Sequence, residues 1–154
     1  MRDPAAWVAF GLGAGLSPWA PGTCGTLVAV LLFLPLRLLW WPWYLLVVAL
    51  VFTLGTWAAG RVGRRLGRKD PQAVVVDEIA GYWIAMAPVL QFADWRWMLA
   101  GFLLFRLFDI VKPWPIRDLD RRLGGGLGTM LDDALAGGFA AALLAAAAWW
   151  LGAY

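Results

Sequence analysis

The sequence contains no histidine and one cysteine, Cys24. The first absence removes imidazole general bases, phosphohistidine intermediates and most zinc sites. The second removes any internal disulfide. No Arg follows Cys24 within six residues, so it does not read as a loop-type phosphatase nucleophile. It reads instead as a small buried apolar side chain. Charge is scarce as well: 15% of residues are Asp, Glu, Lys or Arg, where a soluble domain carries roughly a quarter. Chemistry is left to carboxylates, Lys, Arg and hydroxyls, and carboxylates are hard oxygen ligands that favour magnesium, manganese or calcium. What is abundant is apolar surface. The 154 residues are 62% hydrophobic and include twelve Trp, with a mean hydropathy of +0.71. Indole rings collect at membrane–water interfaces. The length allows a single domain, residues 1–154, as a small helical bundle in a bilayer. The net charge of +3 predicts a basic patch.

A membrane helix needs ~20 apolar residues, with a range of ~17–25. Charge-free runs cover residues 38–60, 79–93 and 134–154, and a shorter run from 97 continues in helical pattern to 110. Before them, residues 5–12 read as a short helix, 13–25 as a Gly- and Pro-rich loop, and 26–39 as the first crossing. The fold expected is therefore all-α, a polytopic membrane bundle with about five crossings and a short N-terminal interfacial or re-entrant helix and loop. The start is a poor signal peptide, because Met1-Arg2-Asp3-Pro4 is a weak basic region. Non-helical backbone at membrane depth must line a cavity or be buried in protein, which draws attention to 13–25. If crossings alternate, Arg2, Arg61, Arg64, Arg65, Arg68, Lys69, Arg106, Lys112, Arg117, Arg121 and Arg122 fall on one side, and only Arg37 and Arg96 on the other. The basic majority marks the cytoplasm, so the N-terminus is expected inside and Tyr154 outside.

On that map the acids gather. Asp77 and Glu78 are expected just before the third crossing, Asp109 at the end of the fourth, and Asp132 and Asp133 just before the fifth. Helix capping would explain one acid of each pair. It explains Asp109 badly, since a carboxylate at a helix C-terminus opposes the dipole. Arg106, Asp109 and Lys112 share one helical face at i, i+3, i+6. They read either as a salt-bridge ladder or as a face holding a metal through Asp109 and an anion through Arg106 and Lys112. Acids and bases at one site suit a metal-bridged phosphate. Two Gly-rich segments allow close backbone approach. One runs from Gly124-Gly125-Gly126-Leu127-Gly128 to Asp132-Asp133. The other, Gly15-Leu16-Ser17-Pro18-Trp19-Ala20-Pro21-Gly22-Thr23-Cys24-Gly25-Thr26, ends at a helix start, where amides and dipole attract phosphate. Ser17, Thr23 and Thr26 offer hydroxyls there, and Gly25 an amide. The segment lacks the Gly-Lys-Ser/Thr of nucleotide hydrolases.

These pieces together resemble the phosphatidylglycerophosphatase A family, magnesium-dependent lipid phosphatases of bacterial inner membranes. The resemblance is carried by Gly15-Leu16-Ser17-Pro18 with Pro21-Gly22-Thr23, by Asp77-Glu78 with Gly81, and by Phe105-Arg106-Leu107-Phe108-Asp109 with Lys112-Pro113-Trp114-Pro115-Ile116. Its last piece is Gly126-Leu127-Gly128 with Met130, Asp132-Asp133 and Ala136-Gly137. They occur in family order across about residues 7–138, and the set is specific where no single piece is. Thr26 stands where Ser is more usual and keeps the hydroxyl. The C-terminal helix adds nothing to the likeness.

The resemblance implies hydrolysis of phosphatidylglycerophosphate to phosphatidylglycerol and phosphate at the cytoplasmic face of the inner membrane. It implies Mg²⁺ held by Asp77, Glu78, Asp109, Asp132 and Asp133, with Asp77, Asp109 and Asp132 the candidate catalytic groups. Arg106 and Lys112 would hold the phosphate, helped by Ser17, Thr23, Gly25 and Thr26. Either an activated water or one Asp would attack phosphorus, and spacing does not separate the two. The expected partners are the lipid substrate and membrane lipids, with no nucleic acid; oligomeric state is open. Two other classes fit the sequence less well. A CDP-lipid phosphatidyltransferase would show a long Asp-Gly…Ala-Arg…Gly…Asp…Asp helix signature, which is not found. A small cation carrier would place carboxylates near mid-membrane rather than at one mouth.

Overall fold

The computed structural model describes residues 3–68 and 71–153, and every regular element among them is helical. In chain order these are α1 (Pro4–Ala9), a 3₁₀ segment (Gly11–Leu16), α2 (Pro21–Leu36), α3 (Trp41–Leu66), α4 (Val76–Met86) with a 3₁₀ turn (Ala87–Val89), α5 (Trp95–Val111), α6 (Ile116–Arg122) and α7 (Gly125–Trp150). Arg2, Lys69 and Tyr154, which entered the sidedness argument, lie outside the described residues.

Local chemistry sets several ends. Asp3 accepts from Ala5 N and caps α1. Pro21 sits in the first turn of α2, where its fixed φ is pre-set for the helix and its missing N–H is no loss. α3 closes on Gly67 at φ +63°, with Arg64 and Arg65 in its last turn facing the negative end of the dipole. Asp94 accepts from the amides of Arg96 and Trp97 at the start of α5.

Three boundaries differ from the sequence reading. The expected helix over 5–12 stops at Ala9, because Gly11, Leu12 and Gly13 take positive φ. The expected loop over 13–25 shrinks to 17–20, since α2 begins at Pro21 rather than at residue 26. The glycine run before Asp132 is the first part of α7 rather than a loop. Asp132 and Asp133 therefore lie two turns inside a helix and are not its caps. Glycine is a poor helix former, but here close packing requires it. A Cβ on Gly126 would overlap the Thr56 carbonyl, and Gly60 lies against it, so α3 and α7 cross backbone to backbone. The short helix α6 was not expected.

α4 is the centre of the bundle. All of its residues except Ile84 are buried, enclosed by α2, α3, α5 and α7. Its polar handles are tied to the surrounding helices. Tyr44 OH on α3 donates to Trp83 O (2.5 Å), Trp83 Nε1 donates to Ala29 O on α2 (3.0 Å), and Tyr82 OH donates to Met98 O on α5 (3.1 Å). Buried polar groups left unpaired would cost ~1–3 kcal/mol each, so these bonds fix the depth of α4 in the bundle.

The outside is apolar. Leu27, Leu31 and Leu34 on α2, Leu46, Leu50 and Leu54 on α3, and Leu99, Leu103 and Leu107 on α5 are all exposed. Their three- and four-residue spacing makes leucine stripes along the helices. A surface this apolar belongs against lipid, and the chain is membrane-associated. α3 and α7, each of 26 residues, are long and apolar enough to cross a bilayer; 26 residues rise ~39 Å. α2, α4 and α5 are shorter than that standard.

The two ends of the bundle differ. At one, Arg37 Nη1 donates to Ala93 O (2.7 Å) and Trp41 Nε1 donates to Ala87 O (3.4 Å), and Trp40, Trp41, Trp43 and Trp95 stand exposed. At the other, Asp3 pairs with Arg61 (3.2 Å) and with Arg65, and the acids gather.

Candidate active site

Three helices bring the charged residues together. Asp77 and Glu78 occupy the first turn of α4, where negative charge is stabilised by the dipole; Asp77 Oδ1 accepts from Glu78 N (3.0 Å). Arg106 and Asp109 come from the last turns of α5. Lys112 is its C-cap, at φ +44°. A non-glycine residue in that region costs roughly 1–2 kcal/mol, and Pro113 after it disfavours continued helix. Asp132 and Asp133 come from α7.

The result is a cleft of about 470 Å³, lined by Pro18, Ala20 to Gly22, Pro71, Gln72, Val74, Asp77, Glu78, Arg106, Asp109, Lys112 and Asp133. Its floor is acidic. Carboxylate oxygens of Asp77, Glu78 and Asp133 all lie within 4.8 Å of one another, and Asp109 neighbours both Glu78 and Asp133. The cations form a second tier. Arg106 Nη1 is 2.5 Å from Asp109 Oδ2 and 3.9 Å from Glu78 Oε1. Lys112 Nζ is 2.5 Å from Asp132 Oδ2 and 3.5 Å from Asp120 Oδ2. Burial works against the charge on Lys112, but the Asp132 carboxylate, with Asp120 and Asp133 behind it, outweighs that and raises the amine above its ordinary value. It stays a cation.

Whether these residues fit a metal can be tested on the side chains themselves. Four carboxylates line the cleft against two cations. Glu78 Oε2 is buried and has no hydrogen-bond partner among the described residues. An acceptor left without a donor, inside three carboxylates within ligand reach of each other, is what a hard divalent cation satisfies. The donor set fits.

Of the residues expected from sequence, Asp77, Glu78, Asp109, Asp133, Arg106 and Lys112 meet in the cleft. Asp132 lies behind Lys112 and reaches the site through it. The hydroxyl-bearing residues of the 15–26 segment do not line the cleft. Ser17 Oγ donates to Trp19 O (2.9 Å) in a local turn, and Thr26 is buried with its hydroxyl donating to Gly22 O (2.9 Å). Gly25 packs on Val75, where a Cβ would come within 2.6 Å of Val75 Cβ. Thr23 sits one residue beyond the lining. The segment lines the cleft with Pro18 and Ala20 to Gly22, and Gly22 stands in the first turn of α2. Its amide and that of Thr23 precede the first intrahelical bond, from Cys24 N to Ala20 O (3.1 Å). A Cβ on Gly22 would overlap Glu78 Oε1 and lie 3.1 Å from Arg106 Nη1. In the sequence Gly22 stands out only as part of the Pro21-Gly22-Thr23 motif. Gln72 and Asp120 carried no sequence signal at all.

The comparisons with known proteins agree on one family. The family model described as Phosphatidylglycerophosphatase A matches residues 7–148. A phosphatidylglycerophosphatase A of Escherichia coli (strain K12) is 41% identical over 144 residues, covering 94% of this chain and 83% of its own. One from Haemophilus influenzae is 39% identical over 152 residues, covering 98% of this chain and 93% of its own. A Bacteroides thetaiotaomicron protein, provisionally named a phosphatidylinositol-3-phosphatase, is 43% identical over 149 residues, with 92% of each chain covered. No solved structure matches the chain significantly. The family model and these relatives, aligned along nearly the whole length, show that the chain belongs to the phosphatidylglycerophosphatase A family.

Proposed function

We propose that this enzyme, a phosphatase by its family and relatives, removes the terminal phosphate of phosphatidylglycerophosphate with Mg²⁺ as cofactor. The observation that carries the reading is the meeting of two groups in one cleft at one end of an apolar bundle: three clustered carboxylates, and Arg106 and Lys112 beside them. A lipid phosphomonoester sits at headgroup level, where a cleft at the end of a membrane bundle can meet it. The relative with an inositide name shares that chemistry, a phosphomonoester on a lipid headgroup.

In this reading Asp77, Glu78 and Asp133 would hold the cation. When bound, Mg²⁺ polarises phosphoryl oxygens and offsets charge between acids and substrate. Asp109 and Asp132, expected from sequence as ligands, take a supporting role: Asp109 orients the Arg106 guanidinium and Asp132 the Lys112 ammonium. Arg106 presents a planar fork suited to two phosphate oxygens, and Lys112 a point charge. The amides of Gly22 and Thr23 at the positive end of α2 add donors from a third side. Uncatalysed phosphomonoester hydrolysis is among the slowest reactions known, so fixed charge and positioning must both be large. Arg106 and Lys112 come pre-oriented by their carboxylates, which lowers the reorganisation needed as charge develops.

The same reading makes the chain a multi-pass protein of the bacterial inner membrane, crossing about five times with the cleft toward the cytoplasm. Support comes from the leucine stripes, the Trp-rich end, and the basic residues. Arg61, Arg64, Arg65 and Arg68 close or follow α3, and Arg117, Arg121 and Arg122 lie on α6, at the end that holds the acids; Arg37 and Arg96 lie at the other. α4 is short for a crossing, but it is enclosed by protein, so its length need not match the lipid.

The test is product analysis. Purified protein in mixed micelles with phosphatidylglycerophosphate should release one inorganic phosphate for each phosphatidylglycerol formed. Turnover of phosphatidate or phosphatidylinositol 3-phosphate in parallel reads selectivity. Lipid left intact in all three, under conditions where the protein is folded, would contradict the reading.

A further inference from the structure

We infer that Asp120, on α6, is a positioning residue for Lys112, holding its ammonium at the wall of the cleft. The inference rests on the phosphatase reading above and extends it to a residue outside the cleft. Lys112 leaves α5 in the left-handed region, φ +44°, with its amide fixed by a bond to Phe108 O (2.9 Å). From there its side chain meets two carboxylates on two other helices, Asp132 on α7 at 2.5 Å and Asp120 on α6 at 3.5 Å. The two acids differ in depth. The Asp132 side chain is 5% exposed and the Asp120 side chain 42%. Asp132 alone would draw the amine inward against α7. Asp120 attracts it from the solvent side, and the balance leaves Lys112 among the residues lining the cleft.

The donor count agrees. A lysine ammonium has three N–H donors and no acceptor. One goes to Asp132 and one points toward Asp120, leaving a third for a phosphate oxygen. α6 is a rigid base for this task despite its seven residues. Ile116 at its start is fully buried, and the helix packs on α7, which carries Asp132. Asp120 is not among the residues lining the cleft, and its tie to the site runs through Lys112.

The experiment uses full-length protein in micelles with Mg²⁺ and phosphatidylglycerophosphate. Asp120→Asn should lower kcat/KM about tenfold, as loss of an orienting partner does, mainly through KM. The inhibition constant of inorganic phosphate should rise by the same factor. Asp120→Glu should restore most of the loss. In a Lys112→Met background, Asp120→Asn should have no further effect. Equal losses with and without Lys112, or a loss seen in thermal stability and not in KM, would overturn the inference. If the parent protein releases no phosphate at all, the phosphatase reading fails separately. The Asp120–Lys112 tie is then read from thermal unfolding of the two single variants and the double. Non-additive shifts support it and additive shifts overturn it.

Discussion

Glu78 on α4 and Arg106 on α5 face each other with Oε1 3.9 Å from Nη1, and the glycine at position 22 of α2 keeps the space beside both of them open. One oxygen of Glu78 thus looks toward the cationic tier. The other, Oε2, is buried without a hydrogen-bond partner among the described residues. A side chain divided in this way links the phosphate-holding groups to the carboxylate cluster.

Glu78→Gln follows from that division. The amide keeps the shape, removes one negative charge from three crowded carboxylates, and adds donors for its neighbours. The metal-free variant should unfold at the same temperature as the parent or higher, because repulsion is relieved. Stabilisation by Mg²⁺ should disappear, and turnover should fall ~10–100-fold. Thermal unfolding with and without Mg²⁺ reads the first two effects. An undiminished Mg²⁺ shift would remove Glu78 from the cation site.

Gly22→Ala separates stability from activity. Alanine is the better helix former by ~1 kcal/mol, yet its Cβ would overlap Glu78 Oε1 and crowd Arg106. The variant should fold and lose more than about tenfold in kcat/KM, since small misplacements of reacting groups are costly. Gly138→Ala is the control, because a Cβ there meets nothing within 4 Å. It should keep parental turnover. Equal activity of the two variants would show that Gly22 is not part of the site.

How much of this was legible in the sequence depends on what each residue needs to be seen. Asp77, Glu78, Asp109 and Asp133 were visible because charges interrupt apolar runs, and a bundle brings run ends together. The position of Asp132 and Asp133 inside α7 was not visible. Helix propensity argues against a run of glycines, and only the backbone contact of Gly126 with Thr56 and Gly60 overrides it. The hydroxyls of Ser17 and Thr26 looked available, but local hydrogen bonds to Trp19 O and Gly22 O consume them. The role of Gly22 is a property of three helices at once. α6 lies between a proline pair and a glycine run with too few residues to show a period, so Asp120 passed unnoticed.

Asp109 and Arg106 can be told apart by substitution. Asp109→Asn keeps size but breaks the charge pairing at 2.5 Å from Arg106. It should fold normally and lose roughly 10–100-fold in turnover, as loss of a partner that orients a site group does. Arg106→Lys keeps charge but loses the two-pronged fork, so turnover should fall while Mg²⁺ stabilisation changes less than in Glu78→Gln. Near-parental turnover by Asp109→Asn would reduce Asp109 to an ion-pair partner of Arg106 with no part in turnover.

The orientation has its own test. In a Cys24→Ala background, Arg64→Cys and Arg121→Cys should resist an impermeant thiol reagent in intact spheroplasts and react after lysis. Trp95→Cys should react in intact cells. Labelling at position 64 from outside would reverse the assignment of the cleft to the cytoplasm.

Whether the Asp77–Glu78–Asp133 cluster works with a divalent cation to hydrolyse a lipid phosphate is decided by one titration. Protein stripped with EDTA and dialysed is assayed for phosphate release from phosphatidylglycerophosphate as Mg²⁺ is returned. With no imidazole and a single thiol in the chain, the account predicts no turnover in the stripped protein and a saturable recovery with Mg²⁺. Full turnover by the stripped protein, unchanged by added Mg²⁺, would contradict it.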